Sequence, residues 1–243
     1  MGNFKNMMSS ISLVGDAKHF QEGRNKFDAL KQNLESKSEK AKLEAMKTLI
    51  AHMTLGRDVS QLFPHVVKNV VVDSMEVKKL VYMFVVHYAA QNQNLALLAI
   101  SSFQKDMSSP NPLVRAKALQ AMATMRVGAV AHLIIIHLKN AVKDSSAYVR
   151  RTAAQVLPVV LKLDAKFRPD LIFMLTTLLN DESVVVLSGA LYSFQQICPS
   201  NWDVIHPNFR KICHLLADMD EWGQTVALEI LLRYARNQFA SPL

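Results

Sequence analysis

A pattern of apolar and small residues that recurs about every 36 residues strongly limits what this chain can fold into. The segment from Val114 to Met122 is matched 35 residues later by the segment from Val149 to Leu157. In each, an apolar first residue is followed by a small or apolar residue four positions later and an apolar residue eight positions later. Because these spacings keep side chains on one helical face, the pattern predicts a series of similar helices. It occurs six times, with first positions at Ala41, Val77, Val114, Val149, Val186 and Trp222.

A second apolar segment follows each of the first five predicted helices, and polar breaks with Gly, Pro, Asp, Asn or Ser separate the segments. These second segments cover residues 59–71, 94–106, 128–142, 167–180 and 203–217. A single helix pair cannot cover its own apolar face, whereas stacked pairs cover one another. We therefore predict an all-α fold, a right-handed α-solenoid of HEAT or armadillo type with about six repeats of about 36 residues.

The repeat also suggests how the chain is divided. Residues 1–30 contain Gly15, Gly23 and many polar residues, and we expect an irregular N-terminal arm there. Residues 31–243 are predicted to form the solenoid. The chain continues only to Leu243 after the sixth first-helix, so Trp222, Ile230 and Leu231 are expected to lack a covering helix. This predicts a solenoid that is truncated at its C-terminus or covered by a partner.

Charge is spread unevenly along the chain. The net charge of +8 divides into +3 for residues 1–58, +9 for residues 59–168 and −4 for residues 169–243. A basic middle predicts a surface that meets anionic lipid or an acidic partner. We consider as candidates for this surface the basic residues at or beside the second position of the repeat. They are Lys42, Lys78, Lys79, Arg115, Arg150 and Arg151.

Two interpretations of these basic residues stay open. They either form a basic ladder for a partner, or they pair with acidic residues of neighbouring repeats. The structural interpretation is favoured for Arg115 and Arg150, because an arginine at the start of a repeat helix commonly has such a partner. Lys42, Lys78 and Lys79 are favoured for the surface, because lysine is a flexible point charge.

The sequence lacks the motifs of the common enzyme classes: no phosphate-binding glycine loop, no nucleophile elbow and no metalloprotease helix motif. We predict no catalytic site, no cofactor and no small-molecule substrate. Cys198, His206, Cys213 and His214 lack the spacing of zinc ligands, so buried thiols and ordinary histidines are favoured. Two cysteines make no disulfide framework and indicate a reducing compartment. The acidic last third and the lack of arginine-rich clusters argue against nucleic-acid binding.

Several short segments of the chain form a recognisable series. They are Leu43–Lys47, Gly56–Ser60, Glu76–Tyr82, Asn111–Arg115, Tyr148–Arg150, Glu221–Gln224 and Tyr234–Arg236. These segments resemble the first helical repeats of the beta large subunits of the heterotetrameric adaptor complexes, the adaptin family. The similarity extends over about residues 13–242, and three segments most resemble the beta subunit of the third adaptor complex: 14–19, 205–211 and 234–242.

This resemblance implies a scaffold subunit of a vesicle coat that supports membrane-cargo sorting between Golgi, endosomes and lysosome-related organelles. It implies as partners the second large, medium and small adaptor subunits, together with an Arf-family GTPase and the surface of an anionic membrane. Cargo pockets are expected in other subunits. The implied location is the cytoplasmic side of Golgi and endosomal membranes. The alternative is a non-adaptor HEAT-repeat scaffold, similar to an import receptor or a phosphatase scaffold.

Overall fold

The computed structural model describes residues 26–240, and within that range the regular structure consists of α-helices and short 3-10 segments. The described chain forms two compact units, of which the first ends at Ser102 and the second begins at Phe103. The predicted arm lies outside the described residues up to position 25. Helix α1 begins at Lys26, inside the last five residues assigned to that arm. The division into an arm and a single solenoid domain stays a prediction.

The first unit is built from pairs of helices that pack within it. Helix α2 packs against both α1 and α4, and α3 packs against α4. The side chain of Asn69 is buried and donates to the carbonyl oxygens of Leu34 and His65, at 3.1 and 2.9 Å, which joins the end of α1 to α3. The helices are α1 Lys26–Glu35, α2 Glu39–Thr54, α3 Phe63–Val67, α4 Met75–Tyr88 and α5 Gln93–Asp106, with the unit boundary inside α5.

The second unit continues the same alternation. Helix α8 packs against α6 and α10, α10 packs against α12, and the shorter second helices pack beside them. The first helix of each repeat therefore contacts the first helix of the next, as expected for stacked pairs. The helices are α6 Pro112–Thr124, α7 Ala131–Ala141, α8 Ala147–Leu163, α9 Arg168–Leu179, α10 Val184–Ile197, α11 Phe209–Leu215 and α12 Glu221–Gln238.

The repeat pattern correctly locates the cores of both units. The fourth position after the first residue is buried in repeats one to five, and the eighth position is buried in all six. The small residues Ala118, Ala153 and Ala190 are completely buried, where they allow neighbouring helices to approach closely. The all-α fold of HEAT or armadillo type is confirmed.

The sixth repeat departs from the predicted register by one residue. Trp222, the predicted first core position, is 82% exposed, and Gly223 is buried in its place. A Cβ atom at Gly223 would lie 2.5 Å from Ser188 Oγ and 2.7 Å from Asp220 Oδ1. A glycine suits this position because α12 approaches α10 so closely that a Cβ atom would require the Ser188 side chain and the Asp220 cap to shift. Ile230 is buried in spite of the expectation that it would lack cover.

Candidate protein-interaction surface

Two arginines at the second repeat position bridge neighbouring repeats of the second unit. Arg115 donates to both carboxylate oxygens of Asp144, at 2.9 and 2.8 Å. Arg150 binds Asp181 in the same way, at 2.5 and 3.1 Å. We call these four residues the arginine ladder. Both side chains of each pair are less than one-fifth exposed.

Each ladder arginine also binds the turn before its own helix. Arg115 donates to the carbonyl oxygens of Ser109 and Pro110, and Arg150 donates to those of Asp144 and Ser145. The partner aspartates are held by the turns too, because Asp144 and Asp181 accept from the backbone amides two residues later. A planar guanidinium group with five donors suits this combination of carboxylate and carbonyl acceptors. The structural interpretation of Arg115 and Arg150 is the one that the geometry supports.

The ladder changes the ionisation of its members. Burial by itself raises the pKa of Asp144 and Asp181, but hydrogen bonds from the arginines and serine amides, together with the arginine charges, outweigh it. The pKa of both carboxyl groups therefore lies below its ordinary value. The hydrogen bonds with these carboxylates raise the pKa of Arg115 and Arg150 in turn. All four groups are charged at neutral pH.

The candidate lysines of the first unit do not share one environment. Lys78 is only 5% exposed, which corrects the expectation that it belongs to the basic surface. Its position in the repeat is the one that Arg115 and Arg150 occupy, and in the second unit that position faces the turns between repeats. Lys79, one residue later on α4, is exposed, and Lys42 on α2 is half-buried. Only Lys79 presents a fully exposed charge among these three.

Arg151 differs from its neighbour Arg150. Its side chain is 38% exposed, and its Nη2 atom lies 3.8 Å from Asp220 Oδ2. Its Nε atom is buried and has no hydrogen-bond partner within the described part of the chain. Arg151 therefore lacks the bidentate carboxylate contact that fixes Arg115 and Arg150.

A row of exposed apolar side chains, which the sequence analysis missed, lies at the start of the first helices in the second unit. Each precedes the first buried position of its helix by one residue, and Trp222 is the most exposed of them. The signal that could have found them is an apolar residue repeated just before the core position. The members of this apolar row are Leu113, Tyr148, Val185 and Trp222.

The rejected zinc ligands are not brought together. Cys198 is buried, and burial raises the pKa of its thiol to about 11, whereas Cys213 is exposed. The His206 ring is hydrogen-bonded to the Tyr234 hydroxyl. Among residues 26–240, no group of three or more His, Cys, Asp or Glu side chains is arranged to hold a metal ion.

Comparison with known families decides the relationship of this chain. The sequence model described as the adaptin N-terminal region matches residues 18–243. The chain belongs to the adaptin family. It is 43% identical over 238 residues to the AP-3 complex subunit beta of Dictyostelium discoideum, which covers 97% of this chain and 22% of that protein. The adaptin resemblance inferred from short segments is confirmed.

Other adaptins give a consistent result. The human AP-3 complex subunit beta-1 is 43% identical over 96% of this chain and 21% of its own length. The AP-1 complex subunit beta of Dictyostelium discoideum is 37% identical over 91% of this chain. The chain thus spans about a fifth of the length of the AP-3 relatives that it matches.

Structural comparison agrees with the sequence. A chain of a homology model of the full-length AP-3 complex, in an intermediate open conformation, superposes with a TM-score of 0.65 and 25% identity, over 99% of this chain and 41% of that one. A designed armadillo repeat protein superposes with a TM-score of 0.55 and 17% identity over 84% of this chain, which shows the fold alone. No helix among the described residues has the length and apolar character needed to cross a membrane.

Proposed function

We propose that this chain is the N-terminal trunk of a beta subunit of a type-three adaptor complex and acts as a non-catalytic scaffold in vesicle-mediated sorting. The observation that carries the proposal is the 43% identity to AP-3 beta subunits over nearly the whole chain. The superposition on the AP-3 homology model supports it independently. Stacked first helices provide long exposed surfaces, which suit a subunit whose work is to hold other chains.

The partners follow from this assignment. The proposed partners within the complex are the second large, medium and small adaptor subunits. An Arf-family GTPase and the anionic lipid surface of Golgi or endosomal membranes are proposed as the recruiting contacts. A well-placed lysine adds about 1 kcal/mol of attraction to such a surface, so Lys79 and Lys42 can assist recruitment but cannot achieve it alone.

The decisive experiment is a pull-down of the purified chain with Arf-family GTPases in GTP-locked and GDP-bound forms, together with co-expression of a type-three medium subunit. GTP-dependent capture or a stable pair with the medium subunit supports the adaptor assignment. A folded, helical sample that captures neither protein would contradict it and favour the alternative of a non-adaptor HEAT-repeat scaffold.

The contribution of the first-unit lysines is tested by charge reversal. We expect Lys79→Glu to weaken binding to vesicles that contain phosphatidylserine, since its ammonium group is exposed on α4. Lys37→Glu is the matched control, with the same charge change at an exposed residue of the same unit, between α1 and α2. Lys78 is unsuitable for this test because a buried glutamate at that position would disturb the fold. Equal vesicle binding by both variants would show that Lys79 makes no specific contribution.

A further inference from the structure

The turns before α6, α8 and α10 of the second unit can be compared residue by residue, because they precede equivalent helices of the repeat. The residue six positions before the second repeat position is Asp144 in the turn before α8 and Asp181 in the turn before α10. In the turn before α6 the same position is occupied by Ser109. Ser109 therefore lies where the next two turns have a carboxylate of the arginine ladder.

The backbone around Ser109 has the same contacts as the backbone around Asp144. Arg115 Nη1 donates to the carbonyl oxygen of Ser109 at 2.8 Å, and Arg150 Nη1 donates to that of Asp144 at the same distance. The Ser109 hydroxyl oxygen accepts from the amide two residues later at 3.3 Å, and the Asp144 carboxylate accepts from the corresponding amide at 2.8 Å. The turn before α8 thus shows that a turn of this geometry accommodates an acidic side chain at the position of Ser109.

Arg115 has one acidic neighbour fewer than Arg150. The hydrogen bond with Asp181 is the main cause that raises the pKa of Arg150, and the charges of Asp181 and Asp144 add to it. The hydrogen bond with Asp144 and its charge raise the pKa of Arg115, and no second carboxylate of residues 26–240 contributes. The difference corresponds to the position of Ser109, which has a hydroxyl group. An anion there would give Arg115 the two flanking acids that Arg150 has.

The sequence around Ser109 is one in which a kinase can supply such an anion. Pro110 follows directly, and a serine followed by proline is the acceptor sequence of proline-directed serine/threonine kinases. Phosphorylation adds a charge of about −1.5 to −2 and three acceptor oxygens, which form charge-assisted hydrogen bonds with arginine. Ser109 is half-buried, while Ser108, Pro110 and Asn111 are exposed in this chain. The acceptor hydroxyl group therefore lies in an exposed turn of the chain.

We propose that Ser109 is a phosphorylation site for a proline-directed kinase, and that its phosphate adds to the arginine ladder a second acidic group beside Arg115. In this step the Ser109 Oγ atom forms a bond to the γ-phosphorus of ATP, the bond from that phosphorus to the β,γ-bridging oxygen breaks, and ADP leaves. The hydroxyl proton passes to the catalytic base of the kinase. The proposal rests on the second unit alone and goes beyond the role of the chain as an adaptor trunk. A chain that binds neither Arf nor a medium subunit could still be modified in this way.

The first test is phosphorylation of the full 243-residue chain by a cyclin-dependent kinase and, separately, by a mitogen-activated protein kinase, with ATP and magnesium. Ser241→Ala serves as the parent chain, because Ser241–Pro242 is the other Ser-Pro pair of the sequence. We expect Ser109 of the folded chain to be phosphorylated by at least one of the two kinases, as measured by mass spectrometry of its tryptic peptides. A synthetic peptide of residues 104–116 is the control that shows whether each kinase accepts this sequence without the fold.

Two variants and one matched control assign the phosphate to Ser109. Ser109→Ala should abolish its incorporation, and Pro110→Ala should slow it at least about tenfold, because the kinase pocket that recognises proline is then left unfilled. Ser108→Ala makes the same serine-to-alanine change one residue earlier, at an exposed position, and should leave the rate unchanged. Circular dichroism confirms that the three variants remain folded.

The second test measures whether an acid at this position acts through Arg115. Ser109→Asp introduces the side chain that the next two turns have, and it should raise the midpoint of urea unfolding by about 0.2–0.5 M. Ser200→Asp is the matched control, with the same change at an exposed turn residue of the same unit, and should raise the midpoint by less than about 0.1 M. In the Arg115→Met chain, Ser109→Asp should give no increase.

Several results would overturn the proposal. They are the absence of phosphate on Ser109 of the folded chain with both kinases, equal incorporation in Ser109→Ala and its parent, and a midpoint of Ser109→Asp no higher than that of Ser200→Asp. An increase that persists in full in the Arg115→Met chain would also do so, because the acid would then act independently of the ladder. Phosphate on Ser109, together with an increase that depends on Arg115, would establish both the site and its role.

Discussion

The arginine ladder should contribute measurably to stability, and Arg150→Met tests this directly. Methionine keeps the apolar stem but removes four hydrogen bonds, two to Asp181 and two to the carbonyl oxygens of Asp144 and Ser145. It also leaves the Asp181 carboxylate, only 12% exposed, with one hydrogen bond from the Ser183 amide and the charge of the nearby Lys211. The loss therefore includes the cost of a partly buried charge that has lost its main partner.

The unfolding free energy lost in Arg150→Met should lie between two known limits. Exposed ion pairs contribute about 0–1 kcal/mol. Breaking a fully buried pair by removing one partner costs about 3–5 kcal/mol. Because the Arg150 and Asp181 side chains are 19% and 12% exposed, we expect Arg150→Met to lower the free energy of unfolding by about 2–3 kcal/mol. The corresponding fall in the midpoint of thermal unfolding is about 5–10 °C.

Urea unfolding followed by tryptophan fluorescence is the appropriate assay. Both tryptophans of the chain, Trp202 and Trp222, lie in the second unit, so the signal reports on the unit that contains the ladder. Lys139→Gln is the control, because the Lys139–Asp170 pair is about half exposed and should change the unfolding free energy by less than about 1 kcal/mol. Arg150→Lys should restore little of the unfolding free energy lost in Arg150→Met. An ammonium group lacks the planar guanidinium geometry that binds carboxylate and carbonyl oxygens together.

Acid titration provides a second measure of the same pairs. The pKa of Asp144 and of Asp181 is lower in the folded chain than in the unfolded chain, so each carboxylate stabilises the fold above its unfolded pKa. This stabilisation is lost as the pH falls from about 4 through the folded-state pKa values. Arg150→Met should therefore show a smaller loss of stability on acidification than the parent chain. Two results would refute this account of the ladder. One is a loss of unfolding free energy in Arg150→Met at neutral pH no larger than that in Lys139→Gln. The other is a loss of stability on acidification that is the same in Arg150→Met as in the parent chain.

Two further predictions concern local packing and thiol exposure. Gly223→Ala should destabilise the second unit by about 1–3 kcal/mol in urea unfolding, because its Cβ would lie 2.5 Å from Ser188 Oγ. Gly128 has open space around it, so Gly128→Ala should destabilise the chain much less. Equal costs would contradict this close approach. Iodoacetamide at pH 8 should modify the exposed Cys213 in the native chain and the buried Cys198 only after unfolding. Mass spectrometry follows the modification of each thiol. Rapid modification of Cys198 in the native chain would contradict this prediction and show that its surroundings open readily.

Much of the fold could be predicted because one pattern is repeated. A single chance alternation of apolar residues is weak evidence, but six occurrences at nearly constant spacing specify helices, their order and their buried faces. The second helices were located correctly, although four of the five predicted segments include 3-10 turns. Residues 59–71 contain two 3-10 segments around α3, where Pro64 lacks an amide donor near the helix start. Periodicity specifies a buried face but does not reveal such interruptions.

The candidate surface was harder to predict, because residue type does not tell which way a side chain points. Lys78 was expected on the surface as a flexible cation, yet it is buried at the repeat position that faces inward elsewhere. Trp222 was expected to lack a covering helix and is exposed, but the pattern did not show that Gly223 is buried in its place, where α12 approaches α10 closely. Both placements depend on contacts between repeats, which a pattern within one helix does not describe.

Neighbouring arginines in α8 illustrate how adjacent residues of one helix meet different surroundings. Successive residues of a helix point about 100° apart, so Arg150 turns toward the interrepeat turns while Arg151 turns toward Asp220. The ladder cannot continue beyond Asp181, because Leu187, completely buried, holds the equivalent position in the next repeat. With Arg150 fixed by four hydrogen bonds, α8 is held in register with its neighbours.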